Sequence, residues 1–279
     1  VTTIVAESST FSAGSLTSCV KEVTTGSDIV IDLSRCRFVT PAGLVFLGVM
    51  MSMAQARGLG CSLTFEACSD FAKYADRMGL STHAARCGVN HQRFPTVRRH
   101  NAQHRFVELT EINDVAQQMV AEDISNTIIA RNRDGGWGAD THRLYSASFE
   151  LATNVEFHAL TPGLAMVQHF PNQNEVEFAF GDHGQGIRAS LAGGGHDTED
   201  DGAAIRLAVD TPASATGDPM RGKGLTGLRD SVCGPKLRGW AIVQSGSHQV
   251  TYSHGQPPIT TTLTYRSPGT FVFGRIRTD

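Results

Sequence analysis

The sequence predicts a mixed α/β (α+β) chain in two domains, and three observations carry that prediction. In the first ninety residues, strand-like and helix-like runs alternate as strand–helix–strand–helix, the order that lays helices on a parallel or mixed sheet. The second half holds three short polar and glycine-rich stretches in a fixed order. The last forty residues alternate apolar and polar side chains with the period of two of half-buried strands.

Composition bounds the function before any motif does. The chain has 279 residues, 40% of them hydrophobic and 18% charged, which is the balance of a folded protein large enough for one big domain or two ordinary ones. A net charge of −3 gives no bulk electrostatic reason to expect nucleic acid or a membrane surface as partner. The longest apolar run, residues 43–53, is too short to span a bilayer and reads as a buried helix. No basic-then-apolar leader opens the sequence, so a cytoplasmic protein is expected. The six cysteines include no C-x-x-C pair, and reduced thiols are expected. His83 and Cys87 have the spacing of a metal corner but lack a second pair.

Residues 1–90 are expected to form a small α/β domain. Residues 28–33 read as a strand. Thr40 is suited to cap a helix and Pro41 to its first turn, so residues 42–57 form an apolar helix that Gly58 stops. Residues 61–65 give a second strand, and 70–78 an amphipathic helix ended by Gly79. Residues 91–105, with a proline and a cluster of basic groups, read as a solvated linker. Helices follow at about 111–132 and 144–159, then strands at 163–170 and 175–181. Residues 190–221 are rich in Gly, Asp, Thr and Pro with one helical patch at 203–209. They read as a lid, mobile without ligand, whose acidic run Glu199-Asp200-Asp201 stays outside. Four strands close the domain, at 240–244, 249–252, 261–265 and 270–276.

The chemistry lies in the three stretches of the second half. Glu150-Leu-Ala-Thr-Asn154-Val-Glu-Phe-His158 sets a carboxylate, an amide and an imidazole at i, i+4 and i+8, on one helix face. Asp182-His-Gly184-Gln-Gly186-Ile187 is an acidic strand end followed by a glycine turn. Gly222-Lys-Gly224-Leu225-Thr-Gly227-Leu228 is a glycine-rich loop able to turn backbone N–H groups to an anion. Residues 217–223 also fit the Gly-x4-Gly-Lys part of a phosphate-binding P-loop. That reading fails because Gly224 stands where Ser or Thr must hold the metal, and no strand leads into the loop.

In order and spacing these stretches resemble the GHKL (Bergerat-fold) ATPases, the superfamily of gyrase-type ATPases, Hsp90, MutL and histidine kinases. The first looks most like the corresponding helix of the anti-sigma-factor serine kinases. Pro268-Gly269-Thr270-Phe-Val-Phe273 is similar to that fold's closing Gly-Thr strand. The resemblance covers roughly residues 105–279 and implies a GHKL α/β sandwich over 106–279. The first domain is similar to STAS domains through Val30-Ile-Asp-Leu-Ser34 and Val39-Thr-Pro-Ala-Gly43-Leu44. It departs from them where Pro41 and Ala42 replace the turn that carries a phosphorylated serine. Thr40 is nearby, but as a helix cap its hydroxyl is engaged.

The resemblance implies ATP and Mg²⁺ as ligands. Asp182 would accept from the exocyclic amine of adenine, which guanine lacks at that edge, with Thr270 assisting through a shared water. Gly184 and Gly186 would leave room for the purine, beside Ile187. Asn154 would hold Mg²⁺ as a neutral oxygen ligand. Glu150 would orient or deprotonate the nucleophile at the γ-phosphate. Arg221, Gly222, Lys223, Gly224 and Leu225 would form the phosphate loop, while His158 reads equally as a packing residue. A serine/threonine protein kinase acting on a regulatory partner, of sigma-factor or STAS type, is expected. A conformational ATPase and a non-catalytic nucleotide-gated switch are the alternatives, and a homodimer is left open.

Overall fold

The computed structural model describes residues 1–5, 10–11, 25–95, 106–112, 122, 147–149, 151–155, 159–211, 224–234 and 238–277. Backbone proximity divides the chain into two compact units, Val1–Asn101 with Glu108–Thr110, and Ala102–Val107 with Glu111–Asp279. Both are mixtures of helix and strand, one with a parallel and one with an antiparallel main sheet.

The first unit has strands β1 (Thr2–Val5), β2 (Thr10–Phe11), β3 (Ile29–Asp32), β4 (Phe38–Val39), β5 (Cys61–Thr64) and β6 (Asn90–His91). Its main sheet runs β1-β3-β5-β6 with every pair parallel, and β2 pairs with β4. The long helix α1 (Pro41–Ala56) starts as its sequence dictates: Thr40 is extended and its Oγ1 accepts from Gly43 N at 3.0 Å. Leu44, Phe46, Leu47, Met50 and Met51 of α1 are fully buried, each contributing about 1.5–3 kcal/mol of apolar burial. Gly58 follows it with φ of 68°, a conformation that costs a side-chain-bearing residue. Ser69 caps α2 (Asp70–Arg77) by accepting from Ala72 N at 3.1 Å. Gly79, with φ of 87°, separates α2 from α3 (Leu80–Arg86), a helix the sequence reading does not contain.

The second unit is built on a sheet in the order β10-β11-β9-β8-β7, antiparallel from β10 to β8. The strands of this sheet are β7 (Phe106–Ile112), whose middle residues Glu108–Thr110 group with the first unit, β8 (Gly163–Phe170), β9 (Glu175–Gly181), β10 (Trp240–Ser253) and β11 (Ile259–Arg277). The helices α4 (Gly186–Gly193), α5 (Asp201–Asp210) and α6 (Gly224–Val232) add to it. Val167, Val176, Phe178, Phe180, Val243 and Val272 from the strands share one core with Leu151, Leu191, Ile205, Val209 and Leu228 from helical segments.

Five expectations are corrected here. Residues 111–112 belong to β7 rather than to a helix, and His91 belongs to β6 rather than to a linker. The four closing strands run together as two. Their expected breaks survive as irregularities, with the register shifting between Ser245, Gly246 and His248 while the paired position on β11 moves from Thr270 to Ser267 to Thr262. The supposed mobile lid is, over residues 190–211, packed structure. Leu191, Ala204, Ile205 and Val209 are sparse in sequence but fall on one side of two helices and enter the core. The acidic run does not stay outside as a group. Asp200 caps α5 by accepting from Ala203 N at 2.7 Å. Asp201 is buried, with Oδ2 accepting from Ser247 N at 2.9 Å, Ser247 Oγ at 2.8 Å and Arg266 Nη1 at 3.2 Å. The rest of the expected lid, residues 212–221, lies outside the described residues.

Candidate functional site

Along β9 the alternation turns Val176, Phe178 and Phe180 into the core, and Asp182 is the next position in that series. An ionisable group therefore stands where the strand pattern calls for an apolar one, and Asp182 is only 5% exposed. Burial pushes its carboxyl up to about 6, although N–H groups of Gly184 and Thr270 pull the other way.

Both of those N–H groups donate to one carboxylate oxygen. Asp182 Oδ1 accepts from Gly184 N at 2.8 Å and from Thr270 N at 3.2 Å. Asp182 N in turn donates to Thr270 O at 3.0 Å, continuing the β9–β11 ladder by one residue. Oδ2 receives no hydrogen bond among the described residues. A carboxylate buried this far, with one oxygen satisfied by backbone and the other left over, is poised to accept from a donor supplied by a ligand.

The glycines around Asp182 make close protein contacts on the side where a side chain would stand. A β-carbon on Gly184 would lie 2.1 Å from Ala159 O, so that backbone already fills the place. On Gly186, with φ of 79°, a β-carbon would lie 2.9 Å from Ser245 Oγ. Gly269 is held more tightly, with φ of 63° and a β-carbon position 2.2 Å from Asp182 Oδ1. Ile187 follows Gly186, is buried, and donates its N–H to Ser245 Oγ at 3.0 Å.

Close approaches also bring the first of the sequence stretches to the second. Residues 151–155 are helical and carry Asn154, half-buried. The next residue, Val155, packs so that a β-carbon on Gly163 would meet its Cγ1 at 2.5 Å and Gly181 O at 3.0 Å, just ahead of Asp182. Ala159, further along, lies against Gly184. A β-carbon on Gly227 of α6 would lie 3.9 Å from the Cβ of Ala147, three residues before Glu150. Gly224 is the first residue of α6, and Leu225 packs against the core rather than standing free. Glu150, His158, Arg221, Gly222 and Lys223 lie outside the described residues.

No group of three or more His, Cys, Asp or Glu able to hold a metal occurs among the described residues. His83 instead sits with Nε2 3.0 Å from Gly48 O and 3.2 Å from Ser52 Oγ, inside the first unit. Asn154, a lone half-exposed amide, fits an ion such as Mg²⁺ that keeps several waters and takes its other ligands from phosphate. The thiols offer no competing chemistry at the described buried positions. Burial raises Cys36 to about 11 and Cys61 to about 12, which leaves both as unreactive thiols at neutral pH.

Ser245 is the residue that sequence reasoning missed. It lies in Gln244-Ser245-Gly246-Ser247, which reads as a break between strands, and no spacing rule marks its hydroxyl. Only the fold shows it buried between the Asp182 turn and β11, donating to Gly269 O at 3.1 Å. No family model matches this chain, and no curated protein matches it at a significant level.

Proposed function

We propose that the second unit is a GHKL-type ATP-binding domain that transfers the γ-phosphoryl group to a serine or threonine of a regulatory protein partner. The observation that carries this reading is the buried Asp182 carboxylate, with Oδ1 held by two backbone N–H groups and Oδ2 left for a donor. That arrangement suits an exocyclic amine, and it lies beside Thr270 of the closing strand as the resemblance requires. Support also comes from the helical segment of Asn154, whose next residue, Val155, packs beside Gly163 and Gly181 just ahead of Asp182.

In this reading Asp182 accepts from adenine, and Asn154 would supply one oxygen to a Mg²⁺ bound with the nucleotide. The metal, when bound, neutralises charge on the transferring phosphoryl group. Glu150 takes the proton of the attacking hydroxyl. Arg221 and Lys223 act as phosphate charges, and Gly222 and Gly224 as backbone donors. The first unit serves as a STAS-like module that engages protein partners. No helix among the described residues is long and apolar enough to cross a membrane.

Incubation of the full chain and candidate partners with γ-labelled ATP tests the reading. Label recovered on a protein hydroxyl is the expected result. Label released only as free phosphate would move the protein to the conformational ATPases, and no transfer to either would leave a nucleotide-gated switch.

A further inference from the structure

We propose that Ser245 is the positioning residue of this site: its hydroxyl fixes the carboxylate of Asp182 so that Oδ2 faces the base. The inference rests on the nucleotide reading for its consequence in specificity, but its geometry stands on the protein alone.

Ser245 is 3% exposed and lies on β10, opposite Thr270 in the β10–β11 register. Its Oγ accepts from Ile187 N at 3.0 Å and donates to Gly269 O at 3.1 Å. The first bond ties down the turn that follows Asp182, at one of the N–H groups that α4 leaves unpaired in its first turn. The second ties down the peptide between Gly269 and Thr270, whose N–H, contributed by Thr270, is one of the two donors to Asp182 Oδ1. One hydroxyl thus closes a ring that runs from Asp182 through Gly184 and Ile187 to Ser245, and returns through Gly269 and Thr270.

The ring has little slack. Gly186 approaches Ser245 Oγ and Gly269 approaches Asp182 so closely that neither could carry a side chain without displacing these groups. A hydroxyl suits the position because it alone, at that size, accepts one bond and donates another. Alanine in its place would leave the Ile187 N–H and the Gly269 carbonyl without this partner, and the Thr270 N–H free to drift from Oδ1. The carboxylate could then rotate, and either oxygen would meet the ligand.

The test uses the full chain and two readouts. The first is the titration of the Asp182 side-chain carboxyl by carbon-detected NMR. Losing hold on the Thr270 N–H removes a bond that lowers this pKa, so Ser245→Ala should move the midpoint upward. The second is calorimetric affinity for ATP against inosine triphosphate, which carries a keto oxygen in place of the amine. Ser245→Ala should narrow that preference by about tenfold, the size of one well-placed buried hydrogen bond. Ser245→Thr keeps the hydroxyl and should hold both readouts near the parent. A merely structural serine would lower the melting temperature and weaken both nucleotides equally, with the Asp182 midpoint unmoved, and that result overturns the inference. A parent protein without preference for ATP over inosine triphosphate would overturn the base-reading role of Asp182, while the NMR midpoint still decides the role of Ser245.

Discussion

Gly269 and Asp182 are packed so that a β-carbon on the glycine would stand 2.2 Å from the carboxylate Oδ1 and 2.4 Å from the Asp182 carbonyl oxygen. The contact joins β11 to the end of β9 at the point where the candidate site begins. Gly269 also has φ of 63°, so a side chain there is opposed by the backbone as well as by space. An unstrained Gly→Ala exchange would stabilise by ~0.4–1 kcal/mol; Gly269→Ala should instead destabilise by more than that. It should lower the melting temperature and weaken ATP binding together. Thermal denaturation and calorimetry check it, and an unchanged Asp182 environment would remove the packing argument.

Asp182→Asn tests what the unpaired oxygen is for. An amide can still accept through its oxygen, but its NH₂ can equally be turned toward the adenine amine. Binding of ATP should weaken by ~1–3 kcal/mol, the cost of spoiling one buried, charged hydrogen bond. The parent should bind ATP in clear preference to GTP. Equal affinities by calorimetry would take the base-reading role away from Asp182.

The same carboxyl gives two pH dependences of opposite sign. Its folded-state value is raised by burial from 3.8 to about 6, so the folded protein holds this proton more tightly than the unfolded chain. Stability from this site is therefore gained as pH falls from about 6 toward 4. Affinity for an adenine donor runs the other way, weakening as the carboxylate is neutralised below about pH 6. Comparing the parent with Asp182→Asn across pH 4.5–8, by denaturation and by calorimetry, isolates both trends; parallel curves would exclude them.

Asp201 should be a structural anchor rather than a mobile surface charge. Removing it in Asp201→Ala strands Ser247 N and leaves Arg266 without its carboxylate, at a cost of ~1–3 kcal/mol for the buried donor. Hydrogen exchange without nucleotide should show amides of α5 protected in the parent and less so in the variant. Fast exchange across α5 in the parent would restore a mobile lid over this stretch.

Glu150 and Asn154 should separate chemistry from binding. Glu150→Ala should leave ATP affinity nearly intact while turnover falls ~10²–10⁴-fold, the range of a general base. Asn154→Ala should instead weaken binding only when Mg²⁺ is present. Full turnover by the Glu150 variant would favour the gated switch.

How legible this was in the sequence depended on the range of the interactions. Local signals held: Thr40 caps α1, Gly58 and Gly79 take positive φ after helices, and the strands at 163–170 and 175–181 lie where the alternation put them. Signals that needed tertiary context did not. Residues 190–211 look polar because α4 and α5 each bury only a narrow stripe, and Asp201 looks solvated until β10 supplies Ser247. The positions of Asp182 and Thr270 could be named from motif order. That Ser245, 63 residues after Asp182, completes the ring could not, because serine beside glycine reads as a turn wherever it occurs.

Helix α1, with apolar side chains buried around nearly its whole circumference, has a meaning for the life of the chain before it is folded. A helix with one wet face can form early and wait for its sheet. This one has almost no wet face, and Gly43–Met53 stays sticky until β5 and α3 are in place. The two flanking strands lie on either side of it in sequence, so a nascent chain stalled before Cys61 would expose the entire stretch to water and to other chains. Synthesis rate and chaperone access then bear on how much of the first unit reaches its native state.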